Sequence, residues 1–264
     1  MGLGIREVYS VSRSLLLCSL VAAVTVLHAQ APAPAPVDLE RQTYVRRISA
    51  GATLSVPLFN LMKPGVSYFS RTTPPLYATV EGSAKYHWLG GGVMLQVAIL
   101  DRLAVNLNAF YRKAEYSYTE TDVAGVDNPN TPLDDRTVTT IDGSTRIRYL
   151  DTPVLARIYN KGRHRKGNRW FFEAGPTART VNKTRTTRIT TDPAGSVSFD
   201  YSQQPTFKRT ALGVTAGFGG QFIDPVGLRV IPEVRYTRWL GLNFDVPGNY
   251  SRRDQIEFVL SLAF

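Results

Sequence analysis

Few side chains in this sequence have the type and spacing that catalysis requires, and His87 is the first candidate. It lies between Tyr86 and Trp88, where a hydrolase could use it as a general base with Ser83 or with an aspartate from a loop. The alternative is a histidine beside aromatic side chains with no catalytic partner. We adopt this second interpretation, and we expect no catalytic residue and no enzymatic activity.

Two other polar groups could bind ions. Asp134, Asp135 and Asp142 could suggest calcium, but their spacing matches no known calcium-binding loop. His164 lies in the basic run 161–166, which is either a solvated charge cluster or a contact for anionic lipid head groups or a partner protein. The chain has one cysteine and three histidines, too few for a cysteine-based zinc site or a multi-histidine centre. We therefore expect no metal and no cofactor.

Eight charged residues recur at alternate positions of otherwise apolar segments. They are Arg112, Arg157, Glu173, Arg179, Arg229, Glu233, Arg235 and Glu257. Such alternation places one set of side chains on a single face of a β-strand and the other set on the opposite face. Whether the charged face meets solvent or lines an interior depends on the elements that hold it.

Period-two alternation runs through most of the chain after residue 40, and no segment there shows a helical apolar stripe. It predicts eight β-strands, near residues 48–56, 89–99, 103–112, 145–159, 169–182, 208–222, 227–240 and 253–264. Long polar connections alternate with short turns, a rhythm typical of a membrane barrel with turns on the periplasmic side and loops outside. We therefore predict an all-β fold, a closed, eight-stranded, antiparallel up-and-down transmembrane β-barrel.

Two of the long connections are the segments 119–143 and 183–206. They are polar and lack apolar periodicity. We expect both to be extracellular loops on which the barrel does not depend.

The start of the chain indicates export. It has the basic beginning, the apolar stretch and the small residues of a signal peptide, with Sec-type export and cleavage near Ala29, or alternatively after Ala31. Cys18 lies inside the apolar stretch rather than after it, so we expect no lipidation. An Ala/Pro-rich segment follows as a periplasmic tether. The predicted signal peptide, tether and barrel are residues 1–29, 30–44 and 45–264.

The last predicted strand has the most specific pattern. Its alternate apolar row stops on a terminal aromatic residue and comprises Ile256, Phe258, Leu260, Leu262 and Phe264. This looks like the C-terminal strand of Gram-negative outer-membrane proteins, which the barrel-assembly machinery recognises. We therefore predict a protein of the cell outer membrane that contacts outer-membrane lipids and meets this machinery during insertion.

Aromatic residues near the strand ends predict two girdles at the membrane surfaces. The predicted girdle residues are Trp88, Tyr111, Tyr118 and Trp239 near one end, and Tyr159, Trp170 and Phe264 near the other.

Eight strands leave an interior just wide enough for side chains, so the alternating charges should pair inside it. Counting along the strands from their connections predicts three neighbouring pairs, Arg235 with Glu257, Arg157 with Glu173, and Glu233 with Gly217. Together these charges would form a bonded plug, which is inconsistent with a general porin.

Some residues should disturb the regular ladder. Pro153, Pro176 and Pro232 lack a backbone N–H, so we expect bulges or locally unpaired sites there. The alternation in the fourth predicted strand also slips, which predicts a bulge near Tyr149.

Several strands resemble those of PorT-like outer-membrane β-barrel domains, over about residues 45–264. The motifs are Tyr-Leu-Asp-Thr-Pro-Val-Leu-Ala-Arg at 149–157, Phe-Phe-Glu-Ala-Gly-Pro at 171–176, the glycine-rich strand 212–219, and Val-Arg-Tyr at 234–236. The resemblance implies an eight-stranded barrel and no particular activity. Thr152 replaces the usual aliphatic residue, and the loops here are long, so a loop function does not transfer.

Together these patterns predict a small, monomeric, non-enzymatic outer-membrane barrel that acts through its extracellular loops, in adhesion, surface interaction or envelope integrity. A small-solute pore or transport protein is the main alternative, and an outer-membrane hydrolase is the third. The net charge of +10 is distributed over loops and alternate strand positions, so we expect no nucleic-acid partner. The extracellular partner is not identified by the sequence.

The terminal aromatic row leads to a first prediction. Deleting Phe264 should lower the amount of membrane-inserted protein in cells, because the assembly signal would be incomplete, while refolding into detergent in vitro should survive. Fractionation and a heat-modifiability gel measure both quantities. Normal insertion of the deletion variant in cells would contradict the prediction.

Overall fold

The computed structural model describes residues 46–72, 75–127, 129–130, 135–165, 167–202, 208–224 and 227–264. The predicted signal peptide and tether, and Asp134 of the candidate calcium group, lie outside these residues. The part of the chain that the structure describes contains no helix long and apolar enough to cross a membrane.

Eight of the described strands form a closed antiparallel ring in chain order. We number them β1 to β8: Ile48–Pro57, Gly90–Ala98, Leu103–Ala124, Thr137–Tyr159, Arg169–Thr191, Thr210–Ile223, Arg229–Trp239 and Asp254–Ala263. Each strand pairs with its neighbours in the chain, and β8 pairs with β1 to close the ring. The predicted eight-stranded up-and-down barrel is therefore confirmed.

The outward side of the ring is an apolar belt. On β3 the outward side chains are Leu103, Val105, Leu107, Ala109 and Tyr111, while Asn106 and Asn108 are buried on the inward side. The next outward residue is Lys113, so the belt takes nine residues of this strand, which is the length of a membrane-spanning β-strand. The row from Ile256 to Phe264 also lies on the outward side, since the buried residues of β8 are those between its members.

Three strands continue well above the belt, which corrects the prediction of two long loops. β3 extends to Ala124, β4 begins at Thr137 and β5 extends to Thr191. Most of the predicted loops 119–143 and 183–206 is therefore paired strand. Both faces of these extensions are polar or partly exposed to water, so they lack the apolar alternation that identifies the membrane strands. Their threonines nevertheless favour β-structure.

These extensions belong to a larger sheet, which we call the extracellular sheet. Strands Val66–Thr72 and Pro75–Lys85 add to the free side of β3, and strand Val197–Ser202 adds to β5. A separate small sheet, which we call the cap, joins Met62–Pro64 with Asn249–Ser251 and Asp245–Val246. The first and last extracellular connections are thus structured and paired with each other.

Prolines interrupt the barrel ladder where the sequence predicts. The β4–β5 pairing breaks between Pro153 and Ala156, across from Pro176, and the β6–β7 pairing breaks around Pro232. Each break is local, and regular pairing continues on both sides of it.

The predicted bulge near Tyr149 is confirmed, but the extra residue lies in the neighbouring strand. Arg148 pairs with Lys183 and Tyr149 pairs with Val181, which leaves Asn182 of β5 as the inserted residue. β4 itself keeps one alternation throughout, with its odd-numbered residues from 143 to 159 buried. The predicted slip within β4 is therefore wrong.

Candidate functional site

The centre of the barrel holds a closed quartet of charges. Arg157 donates from Nη2 to Glu173 Oε2 (2.8 Å) and to Glu233 Oε2 (2.7 Å). Arg235 donates from Nε to Glu173 Oε1 (2.8 Å) and from Nη2 to Glu233 Oε1 (2.5 Å). Each arginine therefore bridges both glutamates, so the formal charges of the quartet cancel.

The register of three strands brings the quartet together. Arg157 of β4 is the register partner of Glu173 of β5, as predicted. Glycines on β6 leave room between β5 and β7, since a Cβ at Gly217 would lie 3.0 Å from Glu173 Oε1 and 3.2 Å from Arg235 Cγ. The predicted pairing of Glu233 with Gly217 is wrong by two residues, because Gly217 is opposite Arg235 and Gly219 is opposite Glu233.

A second layer lies above the quartet and is also balanced in charge. Arg179 holds Asp151 with two hydrogen bonds, Nε–Oδ1 at 2.7 Å and Nη2–Oδ2 at 2.8 Å. Arg112 pairs with Glu257 and donates from Nη2 to Ser55 Oγ at 2.8 Å. Arg112 Nε is also 3.6 Å from Asp151 Oδ2, which links the two pairs. Arg235 and Glu257 are register partners as predicted. Arg235 nevertheless bonds within the quartet, whereas Glu257 pairs with Arg112 in the second layer.

Aromatic rings fill the space beside these arginines. The guanidinium of Arg179 lies over the rings of Trp239 (4.0 Å) and Tyr149 (4.7 Å). Cation–π contacts of this kind are favoured when, as here, the groups are removed from water.

The inward aromatics correct part of the girdle prediction. Tyr118, Tyr159 and Trp239 are buried inside the barrel, whereas Trp88, Tyr111, Trp170 and Phe264 are exposed. Position near a strand end suggested the membrane surface for all of them. The alternation of each strand decides which face a residue takes, and these three occupy inward positions.

The periplasmic end of the interior uses neutral partners. Arg229 donates to Ser49, and Arg169 donates from Nη2 to Gln221 Oε1 at 2.8 Å. Arg169 also stacks over the ring of Tyr159 at 4.1 Å. No carboxylate among the described residues pairs with these two arginines.

All eight predicted interior charges are buried, and the structure adds partners that the sequence reasoning missed. The most important is Asp151, which lies between the Arg112 and Arg179 guanidinium groups. Counting back in steps of two from Arg157 along β4 would have found it. The predicted slip near Tyr149 does not affect this count, because Asp151 lies between that slip and Arg157.

The extracellular mouth of the barrel is covered by the cap. Met62 and Phe244 are buried against inward residues of the strands, among them Val80, Tyr116 and Ile147. The apolar cluster lies above the two charged layers, because its strand residues follow Arg112 on β3 and precede Asp151 on β4.

A cavity of about 130 Å³ lies between the cap and the extracellular sheet. Its lining includes Tyr118, Glu120 and Arg188, and Arg188 Nη2 donates to Tyr118 Oη at 3.3 Å. Partial burial and the neighbouring Asp122 carboxylate raise the pKa of Glu120 above its usual value.

The candidate chemical groups are dispersed. His87 Nε2 is 3.8 Å from Glu115 Oε2, and Asp142 accepts a hydrogen bond from Thr119 Oγ1 at 2.6 Å. His164 is exposed in a periplasmic turn. Within the described residues, no group of three or more His, Cys, Asp or Glu side chains is arranged to hold a metal ion.

Comparison with known proteins identifies a family. The family model for an outer membrane protein beta-barrel domain matches residues 29–244. The match concerns outer-membrane barrels as a class, and the narrower PorT-like resemblance stays a prediction. No curated protein matches the chain.

Three similar solved structures are outer membrane protein OprG from Pseudomonas aeruginosa, the attachment invasion locus protein Ail of Yersinia pestis, and LpxR from Salmonella typhimurium. OprG is 12% identical, with 82% of this chain and 92% of that chain covered and a TM-score of 0.38. Ail is 11% identical, with 82% and 96% covered and a TM-score of 0.30. LpxR is 8% identical, with 81% and 99% covered and a TM-score of 0.30.

The quartet predicts a large cost for removing one member. Glu173→Ala should lower the free energy of unfolding by about 3–5 kcal/mol, because Arg157 and Arg235 would lose a shared, fully buried partner. Urea titration of the refolded barrel in micelles, followed by gel mobility, measures the effect. Glu81→Ala, which removes an exposed carboxylate of the extracellular sheet, should change it by less than about 0.5 kcal/mol. Equal effects of the two substitutions would contradict this prediction.

The filled interior predicts a protein that does not conduct like a porin. The four side chains of the quartet are at most 1% exposed, whereas side chains that line a water-filled pore would be exposed to solvent. Single-channel recording of the refolded wild type should show no stable opening of porin size. A stable open conductance of that size would contradict the prediction that the interior charges form a plug, and it would favour a transport function.

Proposed function

We propose that this chain, which belongs to the outer membrane protein beta-barrel domain family, acts at the cell surface through its extracellular sheet and not through a pore or a reaction. Its location in the outer membrane follows from that family. The observation that supports a surface role is the composition of the outward face of the sheet. Small hydroxyl side chains occupy much of its centre, and exposed aromatic side chains occupy both edges.

Hydroxyl side chains recur in the centre of this face. Register partners place Ser117 of β3 beside Ser144 of β4, and Ser144 beside Thr187 of β5. Further up, Thr121 lies beside Thr140. Short hydroxyl side chains leave the sheet surface accessible and can donate or accept hydrogen bonds.

Aromatic residues flank this centre. Tyr68 and Tyr77 lie on the two strands at one side and are 77% and 60% exposed. Phe199 and Tyr201 lie on the strand at the other side and are 64% and 65% exposed. Large exposed apolar side chains concentrated on one surface are typical of interaction sites, and aromatic residues are enriched at such sites.

The strand Val197–Ser202 also offers a free backbone edge. Within the described residues it pairs with β5 on one side only. Its alternate row of Val197, Phe199 and Tyr201 is exposed, and only Asp200 has a charge. Edge strands are usually protected by charged residues, prolines or short length, and an unprotected edge can accept a strand from a partner. Adhesion or another surface contact is therefore the function that we propose.

The same observations argue against the two alternatives. The buried charged layers and the cap occupy the path that a solute would take. A hydrolase with His87 as its base would need a nucleophile beside it, yet His87 Nε2 lies 3.8 Å from the Glu115 carboxylate. We therefore propose a monomeric, non-enzymatic barrel, exported with residues 1–29 as a signal peptide cleaved near Ala29.

The edge strand supplies the test. Cells that display the wild-type barrel should attach to each other or to coated surfaces more than cells without it, and Val197→Ser/Phe199→Ser/Tyr201→Ser should remove most of this gain. The substitutions take away the apolar contact area of the edge but no membrane residue. Attachment is counted at equal surface expression, with folding checked by heat modifiability.

A matched control changes the other face of the same strand. Ser198→Ala/Asp200→Ala/Ser202→Ala should keep the gain in attachment, because these side chains alternate with the apolar row. If the wild type gives no gain over empty cells on any surface, or if both variants lose it equally, the proposal is wrong.

A further inference from the structure

Three cations stand side by side on the outer surface of the barrel. Lys113 of β3 is the register partner of Arg148 of β4, which is also the partner of Lys183 of β5. All three side chains are exposed. We call Lys113, Arg148 and Lys183 the basic row.

The basic row has more positive charge above it and little negative charge nearby. One step further from the belt, Arg146 and Arg185 are also register partners and also exposed. Among the described residues, the carboxylate that pairs with these five cations is that of Glu115, which lies 3.4 Å from Arg146 Nε. The five cations therefore keep a strong excess of positive charge.

The row lies at the upper edge of the apolar belt. The outward residues one step below it are Tyr111, Leu150 and Thr180, which are register partners in that order. Tyr111 is an exposed aromatic of the predicted girdle, the level at which acyl chains give way to head groups. The basic row is therefore at head-group depth.

The bulge at Asn182 creates this arrangement. Below it, the alternation of β5 points Arg179 and Val181 inward. An unbroken strand would send Lys183 and Arg185 inward as well. Because the bulge inserts one residue, both of these cations are exposed and align with Arg148 and Arg146. Bulges commonly re-aim side chains at functional positions.

Like charges directly opposite each other on neighbouring strands destabilise a sheet unless an anion lies between them. Adjacent strands are about 4.8 Å apart and successive outward residues about 7 Å apart, so the five cations cover roughly 10 by 7 Å. That area suits a phosphorylated sugar better than a single inorganic phosphate.

We propose that the basic row, with Arg146 and Arg185, binds the phosphate groups of a glycolipid head group in the outer leaflet. The acyl chains of the same lipid would lie along the belt below Tyr111 and Leu150. The arginines offer forked N–H donors that match phosphate oxygens, and the lysines add compact positive charge. This site is separate from the edge strand of the proposed function, so either proposal can fail without the other.

The probe is lipid A, a glucosamine disaccharide with two phosphates, added to the full chain refolded in zwitterionic micelles. Lipid A should raise the temperature at which the folded gel band disappears. Fully dephosphorylated lipid A, and inorganic phosphate at the same phosphate concentration, should give little shift. An equal shift with either of them would overturn the proposal, since the first lacks the phosphates and the second lacks the lipid.

The test variant is Lys113→Gln/Arg148→Gln/Lys183→Gln. Each surface cation contributes about a fivefold factor toward an anionic lipid, so this variant should bind lipid A on the order of 100-fold more weakly. Without lipid it should be at least as stable as the wild type, because repulsion within the row is removed. A purely structural role of the three cations would instead lower stability without lipid.

Two further variants complete the test. Arg46→Gln/Arg102→Gln/Arg165→Gln removes the same charge from exposed positions at the periplasmic end and should bind lipid A like the wild type. Lys113→Arg/Lys183→Arg keeps the charge and should also retain binding. Equal losses in the test variant and the periplasmic variant would show an effect of net charge alone and would overturn the proposal.

Discussion

The narrow interior of an eight-stranded ring is the constraint on which the rest of this structure depends. Such an interior is just wide enough for side chains, so a charge that points inward cannot keep its water and must find its partner inside the ring. Arg157, Glu173, Glu233 and Arg235 meet this requirement as a closed set in which every member contacts two others. Room for so many long side chains comes from β6, which contributes Gly217 and Gly219 at this level.

Buried ion pairs are weak evidence for stability, because desolvation offsets most of their attraction. Their clearer consequence here concerns register. The charged partners come from β3, β4, β5, β7 and β8, and a slip of one residue in any of these strands would turn its charge toward lipid. The pairing of Arg112 with Glu257, from strands that are not neighbours in the ring, adds a constraint across the interior.

The membrane part of the fold could be predicted from sequence because lipid on one side and a crowded interior on the other impose strict alternation. That alternation gives the eight strands, their order and the inward set that includes Arg157 and Glu173. Alternation no longer predicts the strands where the outward face does not meet lipid and the inward face does not meet the crowded interior. The extensions of β3, β4 and β5 have water on their outward face, so their sequence resembles that of loops. Asp151 could have been predicted by the same alternation, because it shares the inward, odd-numbered face of β4 with Arg157 and follows the predicted slip near Tyr149. The inserted residue itself could not be assigned to a strand from sequence, since it changes the register of a pair without showing on which strand it lies.

The inserted residue, Asn182, also separates two regions of β5 with different surroundings. Below it, outward residues such as Phe172 face lipid, and Arg179 and Val181 point into the barrel. Above it the same strand turns Lys183 and Arg185 outward and joins a sheet that is wet on its outer face. A regular strand cannot make this change, because strict alternation would continue an inward row of cations into the apolar cluster beneath the cap. One bulge therefore allows a single strand to serve a charge-balanced interior, a basic surface at the membrane boundary and an exposed sheet above it.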